Sequence, residues 1–106
     1  YAVIFDDNSS MWQSSYEYNE HIIKIQERFC TDLLRARGHL FLNEILDRLD
    51  IPRTTAGQIC GWCIDVPDND DFVEIKITPI NDFHGSLMLD FNVVGTVYEM
   101  LDRKKR

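Results

Sequence analysis

Residues 58–65 read Gln-Ile-Cys-Gly-Trp-Cys-Ile-Asp, and the fold turns on whether Cys60 and Cys63 form a reactive pair or a joint between two elements. Two residues between cysteines is the spacing of thiol-disulfide centres and of half of many zinc sites. In a redox centre the reactive cysteine begins a helix, where unpaired N–H groups and the positive end of the dipole stabilise a thiolate. Here the order is reversed. Thr55 followed by Gln58 is a capping-box pattern that predicts a helical turn from Ala56 to Cys60, Gly61 stands as its left-handed stop, and Trp62 opens a strand. Cys60 and Cys63 are therefore expected in different elements, with no disulfide between them. A zinc-binding or redox domain using Cys60 and Cys63 is the alternative. Zinc would need further ligands from Cys30, His21, His39 or His84, none of which has a paired spacing.

Downstream of the joint the hydrophobic period is two. Trp62, Ile64 and Val66 alternate with Cys63 and Asp65, the turn formers Pro67 to Asp71 follow, and Val73, Ile75 and Ile77 then alternate with polar residues, which predicts a hairpin. A third strand is expected over Leu87 to Val94, after a loop from Pro79 to Ser86. Thr96 with Glu99 opens a short C-terminal helix whose Val97, Tyr98 and Leu101 are expected to pack on the sheet.

Upstream, Ala2 to Phe5 reads as a strand ending in a polar turn. Ser14 with Glu17 forms another capping box, and Tyr18, Ile22, Ile25, Phe29 and Leu33 recur at spacings of four and three, the stripe of an amphipathic helix. Arg35 and Arg37 suit its negative end and Gly38 its left-handed stop, which predicts one helix over residues 15–37. His39 to Leu42 is an extended link. Asn43 is placed to cap a second helix over Glu44 to Asp50, with Ile45, Leu46 and Leu49 on one face and Pro52 stopping it. The sum is an α+β domain: a small, mainly antiparallel sheet of a hairpin plus a third strand, one long helix across it, and two or three short helices.

One domain over residues 1–106 fits the length, and 44% hydrophobic content is enough for one modest core. Eighteen carboxylates against 11 Lys and Arg give a net charge of −7, so attraction to nucleic acid is not expected. The terminal Arg103 to Arg106 is basic, but such an end is ordinarily solvated. No run of 18 apolar residues is present to span a membrane, and three cysteines fit a reduced compartment better than a secreted disulfide scaffold.

Catalysis finds no support in the motifs. His84 and Ser86 are close only in sequence, and no nucleophile elbow, zinc-protease helix or phosphate loop is present. The acidic turn Asp68-Asn69-Asp70-Asp71 lacks the alternating register of a calcium loop and reaches Pro79 where such a loop needs a bidentate Glu. No cofactor or metal is expected. The candidate site is instead a protein-binding surface of Trp12, Tyr16 and Tyr18 at the acidic N-terminal edge, since aromatics ringed by charge are the material of binding hot spots. The plainer alternative has Trp12 folding back over the helix start. A homodimer is a second expectation, through the edge of the strand from Leu87 if that edge is left uncovered.

Three short motifs carry a resemblance: Leu42-Asn43-Glu44 at the start of the second helix, Gly57 to Trp62 as G-x-x-x-G-W, and Leu89 to Val93 as L-D-[FY]-N-V. With these the chain resembles an uncharacterised family encoded by phages and prophages of Gram-positive bacteria. The resemblance implies that this chain is the soluble C-terminal domain of a longer protein with N-terminal hydrophobic, membrane-inserting segments, and that the Cys60 position is ordinarily aliphatic. It carries no activity or catalytic residue. The expectation is a phage-encoded accessory protein that binds a protein partner in the bacterial host cytoplasm, at the inner face of the membrane where the missing segments tether it. A virion or assembly component is the other reading.

Overall fold

The computed structural model describes residues 1–67, 70–80, 85–93 and 95–103. The chain runs β1 (Ala2–Phe5), α1 (Tyr16–Arg37), β2 (His39–Phe41), α2 (Leu42–Arg48), a 3-10 turn (Ala56–Gln58), β3 (Cys60–Cys63), β4 (Ile75–Pro79), β5 (Leu87–Phe91), β6 (Gly95–Thr96) and α3 (Val97–Arg103). This is the expected α+β class. The strands, however, form two antiparallel three-stranded sheets, in the orders β1-β5-β4 and β2-β3-β6.

That division corrects the expected hairpin. The strand at Trp62 does not pair with the strand at Ile75. β3 lies between β2 and β6, with Leu40 opposite Trp62 and Cys60 opposite Thr96. β4 pairs instead with β5, Ile75 opposite Phe91 and Ile77 opposite Leu89. β5 runs Leu87–Phe91, Gly95–Thr96 form β6 in the second sheet, and Val94, the expected end of the third strand, lies outside the described residues.

The homodimer edge is corrected by the same topology. Phe91 N–H donates to the Tyr1 carbonyl at 2.9 Å and Asn92 N–H to the Glu74 carbonyl at 3.1 Å, so odd residues of β5 bond to β1 and even ones to β4. Both ladders of β5 are occupied, and no edge remains at Leu87.

α1 begins one residue later than the first capping box implies. Ser15 is the cap, its hydroxyl accepting from Tyr18 N–H at 3.3 Å. The helix ends as expected at Gly38, left-handed at φ 89°, whose N–H reaches the Leu34 carbonyl at 2.7 Å. Its buried face is not the stripe expected. Asn19, Ile23, Cys30 and Leu34 are buried, each one residue beyond Tyr18, Ile22, Phe29 and Leu33. One residue is a turn of about 100° around a helix, which leaves Tyr18, Ile25 and Phe29 exposed.

The second helix is capped by its own Glu44, whose carboxylate accepts from Phe41 N–H at 2.8 Å while also forking onto Arg37 at 2.6 Å. Asn43 is not the cap. It is buried inside α2, donating to the Thr54 carbonyl and accepting from Thr54 N–H, both at 3.0 Å. Leu42, Ile45, Leu46 and Leu49 are fully buried, and Asp50 leaves the helix in the left-handed region at φ 50°. At the next turn Thr54, not Thr55, supplies the capping hydroxyl, accepting from Gly57 N–H at 2.9 Å.

The main core draws on both sheets and on α1 and α2: Phe5, Leu87, Leu89, Phe91 and Ile75 from the first sheet meet Leu40 and Trp62 from the second. A smaller core of Cys63, Val66, Val97 and Met100 lies on the other face of the second sheet, under α3. Val97 packs there as expected, whereas Tyr98 and Leu101 are exposed and Met100 takes the inward position. Thr96 does cap α3, accepting from Glu99 N–H at 3.3 Å. His84, Asp68, Asn69 and the end of the basic tail at residues 104–106 lie outside the described residues.

Candidate functional site

The three aromatics proposed from the sequence take different positions. Trp12 is half-buried and packs against the main core, with its Nε1–H enclosed and without a partner among the described residues. Tyr16 is half-buried too, and its hydroxyl donates to the Ile80 carbonyl. Asn19 ties this corner together: its side chain donates to the Gln13 carbonyl at 2.6 Å and the Gly85 carbonyl at 2.8 Å, and accepts from Gln13 N–H at 2.9 Å. Tyr18 alone of the three faces solvent, at 39% exposure.

Tyr18 is the first residue of a longer surface. Ile25 and Phe29 are 46% and 45% exposed and Ile22 is half-buried, so Tyr18, Ile22, Ile25 and Phe29 line one side of α1 at spacings of four, three and four. That spacing is the seam along which one helix receives another. One border of the stripe carries His21 and Arg28, next to a shallow open depression lined by Glu17, Glu20, His21 and Lys24. The other border is built by α2: the Arg48 guanidinium lies 3.8 Å from the centre of the Phe29 ring, and its Nε donates to Gln26 Oε1 at 2.6 Å. The stripe is therefore apolar along its length and charged on both sides, the composition of a hot spot with a polar rim.

The cysteines are arranged for packing. Cys60 and Cys63 both belong to β3, which corrects their expected placement in separate elements. Three residues apart on a strand, they project to opposite faces. Cys63 enters the small core under α3, whereas Cys60 lies on the face of Trp62, its sulfur 3.0 Å from the Tyr1 hydroxyl. All three cysteines are free thiols and buried. Two sulfurs on opposite faces of one strand do not converge on one ion or one disulfide.

Gly61 also departs from expectation. It is not a left-handed stop but a buried strand residue where two backbones touch: a Cβ there would lie 1.9 Å from the Leu40 carbonyl oxygen. Gly57 has the same kind of reason, since a Cβ would meet Asn43 Oδ1 at 2.1 Å.

Residues 1–101 match the model of a family described as a family of unknown function, DUF6353. The chain belongs to the DUF6353 family. No curated protein and no solved structure matches it. In this DUF6353 chain the three sequence motifs are structural joints: Asn43 sits against Gly57, Gly61 against Leu40, and Asn92 against Trp62. Asn43 and Asn92 of these motifs are occupied in holding α2 and the two sheets in place, and the α1 stripe is a further, largely exposed apolar surface. Among the described residues no helix is long and apolar enough to cross a membrane.

Proposed function

We propose that this domain is a phage-encoded accessory module that acts by binding a protein partner along α1, in the host cytoplasm and at the inner membrane face where segments beyond this chain would hold it. The observation that carries the reading is the apolar stripe Tyr18, Ile22, Ile25 and Phe29, with Ile22 half-buried and the other three exposed, beside a separate core face. Exposed apolar residues scattered singly need no explanation, but a row of them at helix-packing spacing does. The partner element that fits is an amphipathic helix laid along α1, with acidic groups for the Arg28 and Arg48 borders. Resemblance to phage and prophage proteins supports the origin and the tether.

The test is affinity capture of the full-length protein from infected cells, with and without Ile25→Lys and Phe29→Lys. The expected result is a captured protein that both variants lose while the domain stays folded. Unchanged capture by the double variant sinks the α1 reading. Recovery of the protein from purified particles would make it a virion component instead.

A further inference from the structure

The two edges of the first sheet are treated differently. At the β4 edge α1 takes two N–H groups, that of Val73 just before the strand, which donates to Thr31 Oγ1 at 3.0 Å, and that of Ile75, which donates to a Glu27 carboxylate oxygen at 2.7 Å. Pro79 has no N–H to offer, and among the outward positions of β4 only Ile77 keeps an N–H without a partner among the described residues. At the other edge, the ladder to β5 uses Tyr1, Val3 and Phe5, so the N–H and C=O groups of Ala2 and Ile4 point outward. Both residues are exposed, and their outward groups find no partner among the described residues. β1 also carries none of the usual guards, with no Lys, no Pro and no bulge between Ala2 and Phe5.

We propose that β1 is a self-association edge, at which two copies of this chain pair β1 to β1 antiparallel and merge their three-stranded sheets into one. Centring the two-fold at Val3 sets Ala2 opposite the partner's Ile4, which satisfies every outward N–H and C=O of both strands. The solvated face then becomes continuous: a row of Thr78, Met88 and Ile4 runs into the partner's Ala2, the partner's Asp90 and the partner's Lys76. Ile4, 51% exposed, lies beside an alanine that leaves room for it. Charge is compatible with this register and not with a parallel one. Asp6 and Asp7 fall at opposite ends, about 20 Å and about 27 Å from their counterparts at about 3.4 Å per residue, whereas parallel pairing would stack them. A four-residue edge buries less than the roughly 1,200 Å² of a stable complex, so the dimer is weak and concentration-dependent. This inference rests on β1 and is independent of the α1 reading.

Sedimentation equilibrium of this chain from about 0.01 to 1 mM, the range of weak association, tests it. Ala2→Pro and Ile4→Pro each remove one outward N–H without touching the ladder to β5, where an edge proline is tolerated. The expected result is a reversible dimer that each proline weakens at least tenfold, that Ile25→Lys leaves unchanged, and in which the Ala2 and Ile4 amides exchange more slowly as concentration rises. A monomer throughout, or a dimer indifferent to both prolines, overturns the proposal. Amide protection of Val3 and Leu89 confirms that each variant is folded; should Ile4→Pro disturb β1, Ala2→Pro at the strand's first residue decides.

Discussion

Trp62 Nε1–H donates to Asn92 Oδ1 at 2.7 Å, and this bond joins the two sheets. The same oxygen accepts from Glu74 N–H at 2.8 Å, and the Asn92 amide donates to the Phe72 carbonyl at 3.0 Å. Trp62 meanwhile meets Phe91 edge to face, ring centres 6.3 Å apart. A single side chain thus satisfies the Trp62 indole, the Glu74 N–H and the Phe72 carbonyl, the last two just before β4.

Asn92→Ala leaves those three groups without their partner. A lost partner for a buried polar group costs about 1–3 kcal/mol, and part of this site stays accessible to water, so an overall loss of about 2–3 kcal/mol is expected. Urea unfolding followed by tryptophan fluorescence measures it. A loss under about 0.5 kcal/mol would show that the joint between the sheets does not depend on Asn92.

Gly61→Ala and Gly57→Ala should each destabilise by about 2 kcal/mol or more, because overpacking at a site that cannot relax costs at least about 1–3 kcal/mol and both Cβ atoms would meet fixed groups. Gly95→Ala is the control, with nothing within 4 Å of its Cβ. Thermal unfolding of the three variants should separate the first two from the third.

On α1 the two faces should answer differently to substitution. Ile23→Ala, in the fully buried stripe, is expected to lose about 2–4 kcal/mol, whereas Ile25→Lys on the exposed stripe should stay within about 0.5 kcal/mol of the parent. Phe29→Ala should fall between, by about 0.5–1 kcal/mol, through the lost contact with Arg48. Denaturant midpoints of the three variants read this directly.

Burial pushes the Cys30 thiol up to about 11, with nearby Glu44 adding to the rise and Arg48 opposing it. The unfolded chain ionises this thiol near pH 8.5. Its contribution to stability is therefore fully present below about pH 8.5 and is lost as pH rises from there towards about 11, since only the unfolded state releases the proton over that window. Urea midpoints measured between about pH 7.5 and 10 should fall more steeply for the parent than for Cys30→Ala. Parallel slopes would show that Cys30 does not titrate differently in the folded state.

The helices were largely legible in the sequence, because their ends are set locally. Gly38 stops α1, Thr96 caps α3, and the run from Tyr16 to Arg37 contains no proline or glycine to interrupt it. The caps at Ser15 and Thr54 lie one residue from their expected positions, since adjacent Ser and Thr pairs offer the same chemistry and only the path of the preceding chain selects between them. The candidate surface was legible only at Tyr18. Ile25 and Phe29 read as core from hydropathy, whereas the true core face contains Asn19 and Cys30, which a hydropathy pattern undervalues. Asn19 is buried because Gln13 and Gly85, the latter 66 residues away, supply its partners.

By itself, the sequence determined the class, the order of most elements and which residues alternate along β4 and β5, because propensity, capping and period act over a few residues. Tertiary structure decided which strands pair, which side of α1 faces inward, and that Cys60-Gly61-Trp62-Cys63 is the middle strand of a second sheet. Those outcomes depend on long-range partners: Leu40 fitting against Gly61, Asn92 reaching Trp62, and β1 completing β5 from the far end of the chain.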